Sequence, residues 1–205
     1  MSSFSATPDW STIPTPADDG AARHLPGMRL PALALPATDG TAVDLSALPG
    51  RTVVYAYPRT ADPEHGSPEG WDAIPGARGC TPQSCAFRDH FKELRGLGVA
   101  QLFGLSTQAT AYQQEAATRL HLPFPLLSDD ALAMAHALRL PVFEAGGMTL
   151  LRRLTLVLDG GTVTHVFYPV FPPDRSAADM AAWLAADRLA ASDPSGGQTV
   201  NRITA

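Results

Sequence analysis

Gly79-Cys80-Thr81-Pro82-Gln83-Ser84-Cys85-Ala86-Phe87-Arg88-Asp89 reads as the mouth of a helix that follows a strand ending at Tyr57-Pro58. Thr81 is a good N-cap residue, and Pro82 suits the first helical position, where a missing N–H costs nothing. Cys80 is therefore expected just before the helix. Phe87, Phe91 and Leu94 recur at helical spacing and Gly96 supplies a stop, so the spacing predicts a helix over 82–95. Upstream, Val53-Val54-Tyr55-Ala56-Tyr57 is a β-branched and aromatic run suited to a buried central strand. Pro58 must end its ladder, because proline has no N–H to donate.

The same rhythm continues outward. Leu102-Phe103-Gly104-Leu105 reads as the next strand, and Tyr112, Ala116 and Leu120 define the helix after it. Pro123-Phe124-Pro125-Leu126-Leu127 leads to Ser128, a candidate N-cap with Asp129 and Asp130 in the first turn of a helix through Leu138. Asp159-Gly160-Gly161 joins strands Leu154–Leu158 and Val163–Tyr168 as an antiparallel hairpin. A last helix opens with the box-like Ser176-x-x-Asp179 and buries Met180, Trp183 and Leu184. Toward the N-terminus, Asp39-Gly40 marks a small hairpin within 33–48. Strands alternating with helices, then a hairpin and a closing helix, describe an α/β fold of thioredoxin-like order. It has a central mixed sheet with helices on both faces. Residues 1–25 carry no apolar period and are expected to be an irregular arm. The domain spans 26–190, and the Gly- and Ser-rich end from 191 is expected to be a mobile tail.

Composition narrows the function. The chain has 205 residues, enough for one domain with a full core. No run approaches the roughly 18 apolar residues of a membrane span, so no membrane partner is expected. A net charge of −5 with no basic stripe argues against nucleic acid. The start lacks the basic and apolar segments of a secretion signal, so a reducing, cytoplasmic setting is expected. There, two closely spaced cysteines are more often catalytic or metal-binding than a structural staple. The histidines are scattered, and neither a metal nor a cofactor is expected. The chain is expected to be a monomer or homodimer.

Both cysteines lie in the opening run. A sulfur at the helix mouth faces unpaired backbone N–H groups and the positive end of the helix dipole, which favour thiolate, the nucleophilic form. In an ideal helix, Cys85 has its Cα roughly 8–9 Å from that of Cys80 and about 140° round the axis. Disulfide geometry wants Cα atoms within about 7 Å. A bond between the two therefore requires the first turn to come apart, giving a reduced, wound form and an oxidised, unwound one.

Gly-Cys-Thr-x-x-x-Cys-x-Phe-Arg-Asp, met at Gly79 to Asp89, resembles the active-site signature of the peroxiredoxins, in particular the Q-type or bacterioferritin-comigratory-protein branch. The resemblance runs from about Gly27 to Trp183. It takes in Tyr57-Pro58, Phe103-Gly104-Leu105-Ser106, Leu122 to Asp129 and Arg153 to Asp159. It implies a thiol peroxidase in which Cys80 attacks a hydroperoxide and becomes a sulfenic acid. It further implies that Cys85 resolves that acid as a disulfide, which thioredoxin or a related dithiol reduces. Arg153 matches the family arginine that holds the thiolate and polarises the peroxide, and Pro58 the proline that shields the pocket. Strand alternation lets only one of Arg152 and Arg153 face Cys80, and the register of the resemblance picks Arg153.

The departures are specific. The family motif runs Pro-x-x-x-Thr-x-x-Cys, whereas here residues 59–79 intervene between Pro58 and Cys80, and Ala77 holds the threonine position. The hydroxyl is expected from Thr60 folding back or from Thr81; otherwise the site works without it. The inserted loop, with His65, Glu69 and Trp71, is expected either to cap the pocket and narrow its substrate range or to be a plain surface loop. Other functions compete. A peroxide sensor with little turnover uses the same residues. A disulfide oxidoreductase wants two residues between its cysteines, and a copper-delivery protein wants a closely spaced pair with a distant histidine.

Overall fold

The central strand β3 (Arg51–Ala56) sits third in a five-stranded sheet, and its alternation assigns the two faces of the molecule. The structure is a computed structural model that describes residues 9–61 and 66–192. The expectations for residues 1–8, for His65 and for the tail beyond 192 lie outside the described residues. A hairpin of β1 (Ala34–Pro36) and β2 (Ala42–Asp44) precedes β3, as the Asp39-Gly40 signal predicts. After β3 come α1 (Cys80–Asp89), α2 (Phe91–Gly96), β4 (Gln101–Ser106), α3 (Thr110–Arg119), β5 (Leu126–Ser128) and α4 (Ala133–Leu138). A second hairpin, β6 (Val142–Ala145) and β7 (Met148–Leu151), leads to β8 (Leu154–Asp159), β9 (Thr162–Phe167) and α5 (Ser176–Ser192).

The sheet order is β5-β4-β3-β8-β9, with β3, β4 and β5 parallel and β8 and β9 antiparallel. This is the expected mixed sheet. Val54 and Ala56 point into one core with Phe103, Leu105, Leu156 and α4's Met134 and Leu138. Val53, Tyr55 and Tyr57 point the other way, into a core with Phe87 of α1, Leu94 of α2 and Met180 and Leu184 of α5. Cys80 belongs to that second face. On that face Gly104 of β4 makes room for Tyr55 and Leu126: a Cβ there would lie 2.5 Å from Leu126 Cδ2 and 2.9 Å from the Tyr55 hydroxyl.

Several local expectations give way to tertiary contacts. The single helix over 82–95 is two, broken at His90 (φ −91°, ψ 1°), whose ring nitrogen bonds Ala86 O, the carbonyl that also accepts its own N–H. Thr81 is not the N-cap. Gly79 is, at φ +105°, so Cys80 is the first residue of α1 and not the residue before it. Ser128 ends β5 and does not cap a helix. Instead, Asp129 accepts from the N–H groups of Met134 and Ala135 at 2.9 and 2.8 Å, so the helix starts later, at Ala133. Ser176 is already helical, and Asp179 pairs with Arg175 at 3.3 Å, so no capping box forms there. Trp183 is only partly buried and stacks on His165 of β9. The β6–β7 hairpin escaped the sequence reading, because its pattern of half-buried positions offers neither a clean period nor a continuous apolar run.

From Asp9 to Leu25 the chain holds one short 3-10 turn, Trp10–Thr12, and no strand, yet it is packed: Ile13, Ala22 and Leu25 are buried. The inserted loop is also anchored. Trp71 and Ala77 form a small core with Leu150, against which Phe143 and Met148 pack.

Candidate active site

Cys80 opens α1 because Gly79 supplies the left-handed backbone that turns the chain into the helix. Positions 80, 83, 84 and 87 share the face turned to the sheet, so the sulfur, an amide, a hydroxyl and an aromatic ring are carried inward together. Phe87 stacks on Tyr55 with ring centroids 4.3 Å apart, and the Tyr55 hydroxyl donates to Ser84 Oγ at 3.1 Å. Burial pushes the Tyr55 hydroxyl far above its ordinary range, against the opposing bond to Ser84, and burial does the same to Tyr57. Both phenols stay neutral and act as fixed donors beneath the cysteine.

Arg153 reaches the sulfur from the strand side. Leu154 pairs with Ala56, so Arg153 lies just before β8, in phase with Thr155 and Val157 on the Cys80 face. It is 3% exposed, whereas Arg152 turns away to lie over the Phe143 ring. Its Nη2 donates to Cys80 Sγ at 3.3 Å and to the carbonyls of Gly76, Ala77 and Arg78 at 3.4, 3.3 and 3.2 Å. Its Nη1 donates to Gln83 Oε1. Nε has no hydrogen-bond partner among the described residues. The Cys80 thiol in turn donates to Ala77 O at 3.6 Å. A guanidinium is a strong donor to sulfur, and in a water-poor site that contact is worth more than at the surface.

Gln83 is fully buried and escaped the sequence reading. Besides accepting from Arg153, it donates through Nε2 to Ser176 Oγ at 3.4 Å, so α1, α5 and the start of β8 meet at its amide. Its signal was present: a polar residue on the helix face that also carries Cys80 and Phe87.

The other expected site residues are placed as follows. Pro58 is buried at the end of β3, with its carbonyl accepting from Ser106 Oγ at 2.9 Å. Thr60 is buried, but its hydroxyl and N–H meet Gln108 Oε1 at 3.3 and 2.9 Å, and its carbonyl accepts from Tyr112. Its recorded bonds thus run toward α3 and not toward the sulfur. Thr81 is half-buried in the first turn of α1. Ala77 contributes its backbone carbonyl to Arg153, and no hydroxyl stands at that position. Both cysteines are free thiols. Cys85 is half-buried beside Arg88, Asp89 and Arg119; burial, opposed by Arg88 and reinforced by Asp89, pushes its thiol above the ordinary value. Among the described residues, no cluster of His, Cys, Asp or Glu converges as a metal site, and no helix is long and apolar enough to cross a membrane.

The sequence profile of the Redoxin family matches residues 25–183. A chloroplastic peroxiredoxin Q of Oryza sativa subsp. japonica is 34% identical over 151 residues, covering 73% of this chain and 61% of the relative. The chain thus spans about three-fifths of the length of that relative. Among solved structures, the peroxidoxin BcpB of Mycobacterium tuberculosis is 28% identical, with a TM-score of 0.62 over 78% of this chain and 96% of that one. Peroxiredoxin Q of Xanthomonas campestris, at 24% identity, shares the fold with a TM-score of 0.61 over 78% of this chain and 96% of that one. By sequence and by architecture, the chain belongs to the redoxin family and, within it, to the peroxiredoxin Q branch.

Proposed function

We propose that the protein is a thiol peroxidase that reduces hydrogen peroxide or an organic hydroperoxide through Cys80. The observation that carries this reading is the Arg153 guanidinium 3.3 Å from Cys80 Sγ, at the first residue of α1 and out of bulk water. The Cys80 thiolate attacks the terminal peroxide oxygen. The O–O bond breaks, the departing oxygen takes a proton and leaves as water or an alcohol, and the sulfur is left as sulfenic acid. Arg153 stabilises the negative charge as it moves from sulfur to the departing oxygen. Pro58 shields the pocket, and Thr81, in the first turn of α1, supplies the hydroxyl absent at Ala77, since Thr60 is held by Gln108.

Cys85, as thiolate, then attacks Sγ of the sulfenic acid. The S–OH bond breaks, the hydroxide takes up a proton, and a Cys80–Cys85 disulfide and water result. Thioredoxin or a related dithiol returns both cysteines to thiols by exchange. Such a cycle suits a reducing compartment such as the cytoplasm.

Peroxide-dependent NADPH consumption in a coupled thioredoxin assay tests the reading. Cys80→Ser is expected to abolish it, and full activity in that variant would end the proposal. Cys85→Ser is expected to keep the first oxidation and to accumulate overoxidised Cys80 by mass spectrometry. Fast oxidation of the wild-type sulfur with slow recycling would assign a sensor instead.

A further inference from the structure

We infer that residues 10–19 form a strap that holds Cys80 wound in α1, and that Trp10 is a positioning residue controlling how long the sulfenic acid lasts before Cys85 reaches it. The inference rests on the thiol peroxidase reading. Cys80 must leave the helix to bond Cys85, because an ideal turn keeps their Cα atoms beyond the roughly 7 Å that a disulfide spans. Gly79 must move with it. That residue is covered: a Cβ on Gly79 would lie 2.6 Å from Pro173 Cγ and 2.8 Å from Trp10 Cη2, so two rings rest directly on the backbone before the cysteine. At the other end of the segment, a Cβ on Gly76 would lie 3.4 Å from Pro16 Cγ. Between these contacts, the carbonyls of Gly76, Ala77 and Arg78 face the Arg153 guanidinium. The stretch that must unwind is thus pressed onto Arg153 by the strap and by Pro173.

The strap is itself anchored. Trp10 meets Phe171 edge-on at 6.0 Å, and Asp19 Oδ1 accepts from the Tyr168 hydroxyl at 2.9 Å. One feature opposes closure: Trp10 Nε1 is buried with no hydrogen-bond partner among the described residues. Lifting the strap loses ring contact but returns that N–H to water, so the two states are held close in free energy. Two reactions compete for the sulfenic acid, and only lifting the strap opens the first. With Cys85 it gives the disulfide and water; with a second hydroperoxide it gives sulfinic acid and water or an alcohol.

The test uses the full chain. In Trp10→Ala, acid-quenched alkylation and mass spectrometry should show disulfide formation about tenfold faster, the change that about 1.4 kcal/mol of lost ring contact gives. The hydrogen peroxide concentration that half-converts Cys80 to sulfinic acid should rise in parallel, the first oxidation rate should be unchanged, and Trp10→Phe, which keeps a ring and removes the unpaired N–H, should form the disulfide no faster than the wild type. Unaltered disulfide formation and unaltered overoxidation in a folded Trp10→Ala protein would overturn the strap. Should that variant not fold, hydrogen exchange of wild-type amides 10–13 decides: protection is expected to fall in the disulfide form, and equal protection in both forms overturns the inference. A wild-type protein that forms no Cys80–Cys85 bond overturns the peroxidase cycle itself, whereas normal wild-type resolution with no Trp10 effect overturns the strap alone.

Discussion

Replacing Gln83 with leucine is expected to slow oxidation of Cys80 while leaving the chain folded. Among the described residues, the Gln83 amide is the only acceptor for Arg153 Nη1, and it ties that guanidinium to Ser176 on α5. A hydrogen bond to a charged group contributes about 1.5–3 kcal/mol. If that energy serves to aim Nη2 at the sulfur, its loss slows attack by about 10- to 150-fold, each tenfold being about 1.4 kcal/mol. Leucine is close in size to glutamine, so little of the effect comes from a cavity. Stability falls as well: Nη1 joins Nε without an acceptor, at a cost of about 1–3 kcal/mol. For a chain of this length that is a melting shift of about 2–12 °C. Stopped-flow oxidation under excess hydrogen peroxide, with a thermal melt on the same sample, measures both. Gln83→Glu keeps an acceptor for Nη1 but sets a negative charge beside the thiolate, so it should recover melting temperature and not the rate. A folded Gln83→Leu protein oxidising at the wild-type rate would show that Arg153 needs no anchor on α1, and the geometric argument would fail.

Gly104→Ala places a methyl group 2.5 Å from Leu126 Cδ2 and 2.9 Å from the Tyr55 hydroxyl, so overpacking of about 1–3 kcal/mol should appear as a lower denaturant midpoint. Phe87→Ala removes the ring stacked on Tyr55 and should destabilise by about 3–5 kcal/mol in chemical denaturation. Because burial raises the Cys85 thiol, its reactive thiolate is scarcer at neutral pH and grows as pH climbs toward the raised value. Disulfide formation in single turnover should therefore accelerate by up to about tenfold per pH unit between pH 6 and 9, and a flat profile would show that unwinding, not ionisation, sets the rate.

The central strand, the helix after it and the hairpin at Asp159-Gly160-Gly161 were legible because each rests on the local period of apolar residues and on turn chemistry within a few positions. The phase of Arg153 was legible for the same reason: counting by two along β8 puts it on the Cys80 face once the resemblance supplies the register. The helix boundaries were less so. Thr81 and Ser128 are good capping residues in isolation, but Gly79 is the N-cap of α1 and Asp129 satisfies the first N–H groups of α4, because packing decides where the two helices lie.

Residue types and their local spacing by themselves determined a strand and helix bearing a nucleophilic sulfur, a second thiol on another face of that helix, and a later arginine in phase with the first. Only the tertiary structure decided that Gln83 anchors the guanidinium, that Thr60 is held by Gln108, and that Trp10 and Pro173 lie on Gly79. The reason is distance along the chain. Gln83 and Arg153 are 70 positions apart, and no periodicity carries such a pairing; it exists only once the sheet has brought β8 beside β3 and laid α1 across them.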